Sequence, residues 1–88
     1  MIKARLLLFA GLSQQTGTRE AIVELEDGSS VDDAYQALCL IFPAITAYST
    51  RLLFAINEEY VPASRILNDG DEVAVIPPVS GGQKWFSK

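Results

Sequence analysis

The sequence has no histidine, and its 88 residues include a single cysteine, Cys39. A His-based catalytic triad, a protein-built zinc site, an iron–sulfur cluster and an internal disulfide are excluded together, so no metal site is expected. Cys39 has no Lys or Arg beside it in sequence to stabilise a thiolate, and it reads as a small core hydrophobe. Basic residues are also scarce, 7 Lys and Arg against 11 Asp and Glu, which leaves a net charge of −4. That balance argues against a surface that tracks phosphates, so the expected partner is a neutral or basic protein and not nucleic acid. Long apolar runs are missing too. The stretch 6–10 is too short for a membrane span or for the hydrophobic segment of a secretory signal, so no membrane association is expected and the cytoplasm is the expected location.

What is present is enough for one small domain with a core: 49% of residues are hydrophobic and 20% charged. Residues 2–9 alternate as a strand, with Ile2, Ala4, Leu6 and Leu8 on one face and Lys3, Arg5, Leu7 and Phe9 on the other. Residues 11–18 predict a loop with at most a couple of helical turns, ending at Gly17. Alternation resumes over 21–25, and Glu26-Asp27-Gly28 supplies a turn. Ser30 then fits a helix cap, with Asp32 and Asp33 in the first turn, where their charge meets the positive end of the helix dipole. The helix is predicted to run to about Phe42 with an apolar stripe of Val31, Ala34, Tyr35, Leu38, Ile41 and Phe42, and Pro43 opposes its continuation. Asp32 and Asp33 read as capping residues rather than a catalytic pair. Residues 52–56 predict a third strand, 57–59 a turn in which Asn57 tolerates a left-handed backbone, and 60–61 a short strand closed by Pro62. Asn68-Asp69-Gly70-Asp71 is a strong turn signal before a last strand at 72–76, in which Val73 and Val75 oppose Ala74 and Ile76.

The order β, β, α, β, short β, β places residues 1–76 in one domain. It is an α+β roll of the ubiquitin-like, β-grasp kind, with a mixed sheet of four to five strands packed on one main helix. Such a roll carries no function by itself. Pro77-Pro78-Val79-Ser80-Gly81-Gly82 follows, and two prolines cannot continue the sheet, so residues 77–82 are expected to leave as an extended arm. Val79 offers one apolar grip, while Gly81 and Gly82 lack the side chains that would block a narrow channel. An arm of this kind suits delivery of a backbone carboxylate into another protein's active site.

Leu8-Phe9-Ala10, Phe54-Ala55-Ile56-Asn57 and, above all, the run from Asp69 to Gly82 resemble the small, sulfur-carrying subunit of molybdopterin synthase. The resemblance covers residues 1–82. It implies that a ubiquitin-activating-type enzyme uses ATP to adenylate the Gly82 carboxylate, and that sulfur from a donor then displaces AMP to leave a thiocarboxylate. Gly82 is then the reacting residue, and Gly81, Ser80, Val79, Pro78 and Pro77 position it. The resemblance also implies a large synthase subunit that receives the tail and supplies the acid–base groups, so that the chain is a carrier subunit without a catalytic centre or bound cofactor of its own. The thiamine-pathway sulfur carrier also ends in a double glycine but typically lacks the double proline. A protein modifier conjugated through Gly82 and a pure interaction module are the remaining alternatives.

If the first and last strands neighbour one another, as the resemblance implies, Leu7, Phe9 and Ile76 form an exposed apolar patch. Phe9 and Ile76, with Leu7 and Tyr60, are then the expected partner anchors. The chain departs from the family in one respect: Gln83-Lys84-Trp85-Phe86-Ser87-Lys88 follows Gly82 and holds its carbonyl in an amide. Residues 83–88 are thus a segment removed by a processing protease, a partner-binding or back-folding extension, or an addition foreign to the natural chain. Residues 1–82 hold five of the seven basic residues and all 11 acidic ones, a net charge of −6.

Overall fold

The computed structural model describes residues 1–9, 11–48 and 52–77. Five strands, β1 (Ile2–Leu8), β2 (Glu20–Leu25), β3 (Leu53–Ile56), β4 (Glu59–Val61) and β5 (Glu72–Ile76), form one mixed sheet in the order β2-β1-β5-β3-β4. β1 and β5 are parallel at its centre, and the other pairs are antiparallel. The main helix α2 (Val31–Ile41) covers one face, and a six-residue helix α1 (Gly11–Thr16) joins β1 to β2. This is the expected α+β β-grasp roll.

The core lies between α2 and the inner face of the sheet. Ala4, Leu6 and Leu8 of β1, Val73 and Val75 of β5, and Phe54 and Ile56 of β3 point into it, as period-two alternation requires. Val31, Ala34, Tyr35, Leu38 and Cys39 meet them from the helix. The Tyr35 and Phe54 rings pack edge to face with centroids 6.0 Å apart. The Tyr35 hydroxyl donates to the Ile45 carbonyl at 2.8 Å, which satisfies the one polar atom the ring carries inward. Burial, and then the neighbouring Cys39 thiol, push the phenol pKa above its ordinary range, so Tyr35 stays neutral and acts as a core residue.

Ile41 departs from the predicted stripe and is 55% exposed, while Cys39 takes the core position expected of it. Ile41 sits at the margin of the stripe, and the chain turns there: Phe42 caps the helix, and a 3₁₀ segment, Pro43–Tyr48, follows. That segment delivers Ile45 to the core, a contribution that helical periodicity ending at a proline does not reveal.

The start of α2 fixes the loop that precedes β5. Ser30 Oγ accepts from the Asp33 amide at 3.2 Å, and the Ser30 amide donates to Asp33 Oδ2 at 2.9 Å. The Val31 and Asp32 amides donate to the carbonyls of Arg65 and Ala63 at 2.8 and 2.9 Å. The donors that a helix start leaves unpaired are thereby satisfied, partly by the 63–65 segment. From there the turn before β5 is tied to β1: Asp69 Oδ1 accepts from the Lys3 amide at 2.8 Å, the Gly70 amide donates to the Lys3 carbonyl at 2.8 Å, and the Arg5 amide donates to the Asp71 carbonyl at 2.9 Å. Gly70 has φ +87°, which suits glycine in this turn. Ser30→Ala is expected to lower stability by about 0.5–2 kcal/mol in urea unfolding without changing the m-value, because a cap is lost and the core is untouched.

Candidate functional site

The outer face of the sheet, opposite α2, is divided into two halves along the strands. Toward the start of β1 it is charged. Arg5 lies 2.9 Å from Glu72 and 3.9 Å from Glu20, and Lys3 lies 4.0 Å from Glu24. These are exposed pairs, of the sort that contribute about 0–1 kcal/mol each, and their effect is to neutralise that half of the face. Toward the ends of β1 and β5 the same face becomes apolar. Leu7 pairs with Ala74, Ala74 with Ala55 and Ala55 with Tyr60, so four side chains form one row across β1, β5, β3 and β4.

Over this row lies an open groove of about 530 Å³, floored by Leu7, Ala55 and Ala74 and flanked by Phe9. Its far wall is the β3–β4 turn. Asn57 and Glu58 have φ of +54° and +65°, and a two-residue hairpin loop with both centres left-handed matches the right-handed twist of its strands. Asn57 takes the left-handed backbone expected of it. Glu58 does so as well, at a cost of about 1–2 kcal/mol for a residue with a Cβ, and both it and Glu72 line the groove. Small alanines on the floor and larger side chains at the sides make the surface concave. A second, smaller hollow shares Leu7 and Phe9 and adds Ser13, Arg19 and Glu20, so these two residues sit between both depressions.

The sequence-predicted anchors divide accordingly. Leu7 and Phe9 are half-buried and line the groove, and Tyr60, 55% exposed, stands at the end of the same row. Ile76 requires a correction. It shares the outer face, opposite Val73 and Val75 as expected, but it has no exposed surface and is not an exposed anchor. Its neighbours in the sheet are Leu53, directly across on β3, and the end of β1, where Leu8 pairs with the preceding Val75. Leu53, 50% exposed, is the residue that continues the apolar face at that point. Ala55, Ala74, Asn57, Glu58 and Glu72 were not anticipated as lining residues. Alternation alone gives the face of Ala74, and cross-strand register is needed to put it beside Leu7 and Ala55.

Of the predicted tail, Pro77 is buried at the end of β5. Pro78, Val79, Ser80, Gly81 and Gly82, and the segment 83–88, lie outside the described residues. β5 delivers the chain to the apolar end of the outer face, because its parallel pairing with β1 makes both strands finish on that side. Among the described residues no three His, Cys, Asp or Glu side chains gather as a metal site requires, and no helix is long and apolar enough to cross a membrane.

The model of the ThiS family matches residues 6–82. A molybdopterin synthase sulfur carrier subunit from Chlamydomonas reinhardtii is 39% identical over 83 residues, covering 92% of this chain and 100% of that protein. Among solved structures, small archaeal modifier protein 1 of Haloferax volcanii aligns with a TM-score of 0.80 at 27% identity, over 90% of this chain and 100% of that one. A chain from a complex of subunits 1 and 2 of the molybdopterin-converting factor of Helicobacter pylori shares the fold, with a TM-score of 0.64 at 17% identity over 92% of this chain and 100% of that one. The β-grasp topology, the tail sequence and these likenesses agree: the chain belongs to the ThiS family and, within it, to the group of the molybdopterin synthase sulfur carrier subunits.

Proposed function

We propose that this protein is the sulfur-carrying small subunit of a molybdopterin synthase, with Gly82 as the carrier residue. The observation that carries the proposal is the family match, which runs through the whole tail and stops at Gly82. The curated relative bearing the molybdopterin name favours that pathway over the thiamine one.

The chemistry follows from the carboxylate. A free glycine carboxylate is a poor acyl donor. Attack of its oxygen on the α-phosphorus of ATP expels pyrophosphate and leaves an acyl adenylate, and a hydrosulfide-level nucleophile then displaces AMP to give a thiocarboxylate. ATP and the sulfur donor are used by the adenylating enzyme, and this chain holds neither. The cytoplasm, where ATP is supplied, is the proposed setting. For Gly82 to react, the amide to Gln83 must first be hydrolysed, so a processing protease belongs to the proposal. The large subunit is the proposed docking partner of the groove, with Leu7, Phe9 and Tyr60 as anchors and Pro77 to Gly81 leading Gly82 into its active site. Subunits 1 and 2 of the molybdopterin-converting factor of Helicobacter pylori form a protein–protein complex, which supports a partner of this class.

A second reading, conjugation of Gly82 to lysines of other proteins, is favoured by the likeness to the archaeal modifier. It predicts high-mass conjugates that disappear when Gly82 is changed.

Incubation of the chain ending at Gly82 with a cognate adenylating enzyme, ATP and sulfide is expected to add the mass difference of one oxygen replaced by sulfur, located at Gly82. An unmodified carboxylate despite adenylation would sink the carrier proposal. Phe9→Glu is expected to weaken binding to the large subunit roughly 30-fold or more, about 2 kcal/mol, in calorimetry, and unaltered affinity would remove Phe9 from the interface.

A further inference from the structure

The groove on the outer face has a partner of matching chemistry within the same chain. We propose that residues 83–88 dock back into it in the unprocessed protein, with Trp85 and Phe86 over Leu7, Ala74 and Ala55, and that they cover the partner surface until the chain is cut after Gly82. Docking rests on the groove and the sequence alone, whereas its blocking consequence rests on the carrier proposal above.

Three observations support this occupant. The first is reach. β5 ends beside the groove, and Ala74 lies three residues back from Pro77, about 10 Å at the strand rise. Trp85 is eight residues beyond Pro77, a tether that spans up to about 26–29 Å when extended. Gly81 and Gly82 lie within it and have the backbone freedom that a reversal requires.

The second is shape and polarity. The floor is apolar and lowered by two alanines, and Trp85 and Phe86 are the only adjacent aromatic pair in the sequence. Each such ring covers on the order of 150–250 Å² when buried, a match for a shallow groove that no described side chain fills. The third is charge. Lys84 and Lys88 bracket the aromatic pair, while Glu58 and Glu72 stand on the rim of the groove and residues 1–82 carry −6. Arg5 already contacts Glu72 from the charged half, so Glu58 is the more available partner for a lysine.

Tethering adds to this. A short flexible tether holds its end at an effective concentration on the order of millimolar, so even a millimolar-class affinity leaves the segment docked roughly half the time. A partner competing for the groove therefore meets a reduced fraction of open surface, and proteolysis after Gly82 removes the competitor while creating the reactive carboxylate.

Trp85 is the sole tryptophan and reports on its own position. In the full chain its acrylamide quenching is expected to be at least roughly twofold below that of a free peptide of residues 83–88, with blue-shifted emission, at an effective concentration of this order. Leu7→Glu and, separately, Glu58→Lys are expected to raise quenching toward the peptide value while the far-ultraviolet dichroism is unchanged. Should Leu7→Glu fail to fold, Glu58→Lys on the exposed turn decides. Quenching equal to the peptide, shielding that survives Glu58→Lys and any folded Leu7→Glu, or shielding lost on dilution as for a second copy overturns the proposal. Because this readout needs neither activating enzyme nor sulfur, failure of thiocarboxylate formation leaves it intact. Conversely, docking without any gain in large-subunit binding on cleavage after Gly82 overturns the blocking consequence alone.

Discussion

The parallel pairing of β1 with β5 is the constraint on which the rest depends. It joins Arg5 to Glu72 and Leu8 to Val75, residues 67 apart in the chain. Such a contact brings a large loop-closure cost, and it is held by several independent ties. The inner residues Leu6, Leu8, Val73 and Val75 are buried under α2, and the turn before β5 is fastened to Lys3 by hydrogen bonds through Asp69 and Gly70. The helix start contributes as well, since its Ser30–Asp33 box and first-turn amides hold the 63–65 segment that leads into that turn. Capping, turn and sheet are thus successive parts of one path that delivers β5 to the centre.

The functional geometry follows from direction as much as from contact. Because the two central strands are parallel, both end on the same side, and β5 finishes toward the end of the outer face where Leu7, Phe9, Ala74 and Ala55 make it apolar. Under the proposed function, a docking surface beside the end of β5 would let one binding event also present Gly82 to the partner. The charged half of the same face, where Arg5 and Lys3 are paired with acids, gives an apolar partner little reason to spread in that direction.

Much of this was legible in the residues. Alternation separated Leu6 and Leu8 from Leu7 and Phe9, and Val73 and Val75 from Ala74 and Ile76, because strand periodicity is a property of the local chain. Ser30 and Asp33 announced the helix start by their chemistry, and the Asn57 turn by its tolerance of a left-handed backbone. What the sequence did not disclose is what depends on neighbours. Ile76 was expected to be exposed because its face is outward, but it has no exposed surface, while Leu53 across from it on β3 does. Ile41 was expected inside because it nearly fits the helical stripe, but the chain turns into a 3₁₀ segment there, and Ile45 of that segment joins the core instead. The groove itself arises from register, which places two alanines side by side, and no single strand's pattern contains that information. The proposal of Gly82 as the carrier residue came from the tail motif and its resemblance, not from the folded body.

The most direct test is amide chemical-shift mapping of the isotope-labelled protein during titration with the large synthase subunit. Perturbations are predicted to concentrate on Leu7, Phe9, Ala55 and Ala74 at the apolar end of the outer face and to spare Lys3, Ile22 and Glu24 at its charged end. Perturbations centred on the exposed Leu40 and Ile41 of α2, with the groove signals unmoved, would contradict the shared end of face and tail as the basis of function.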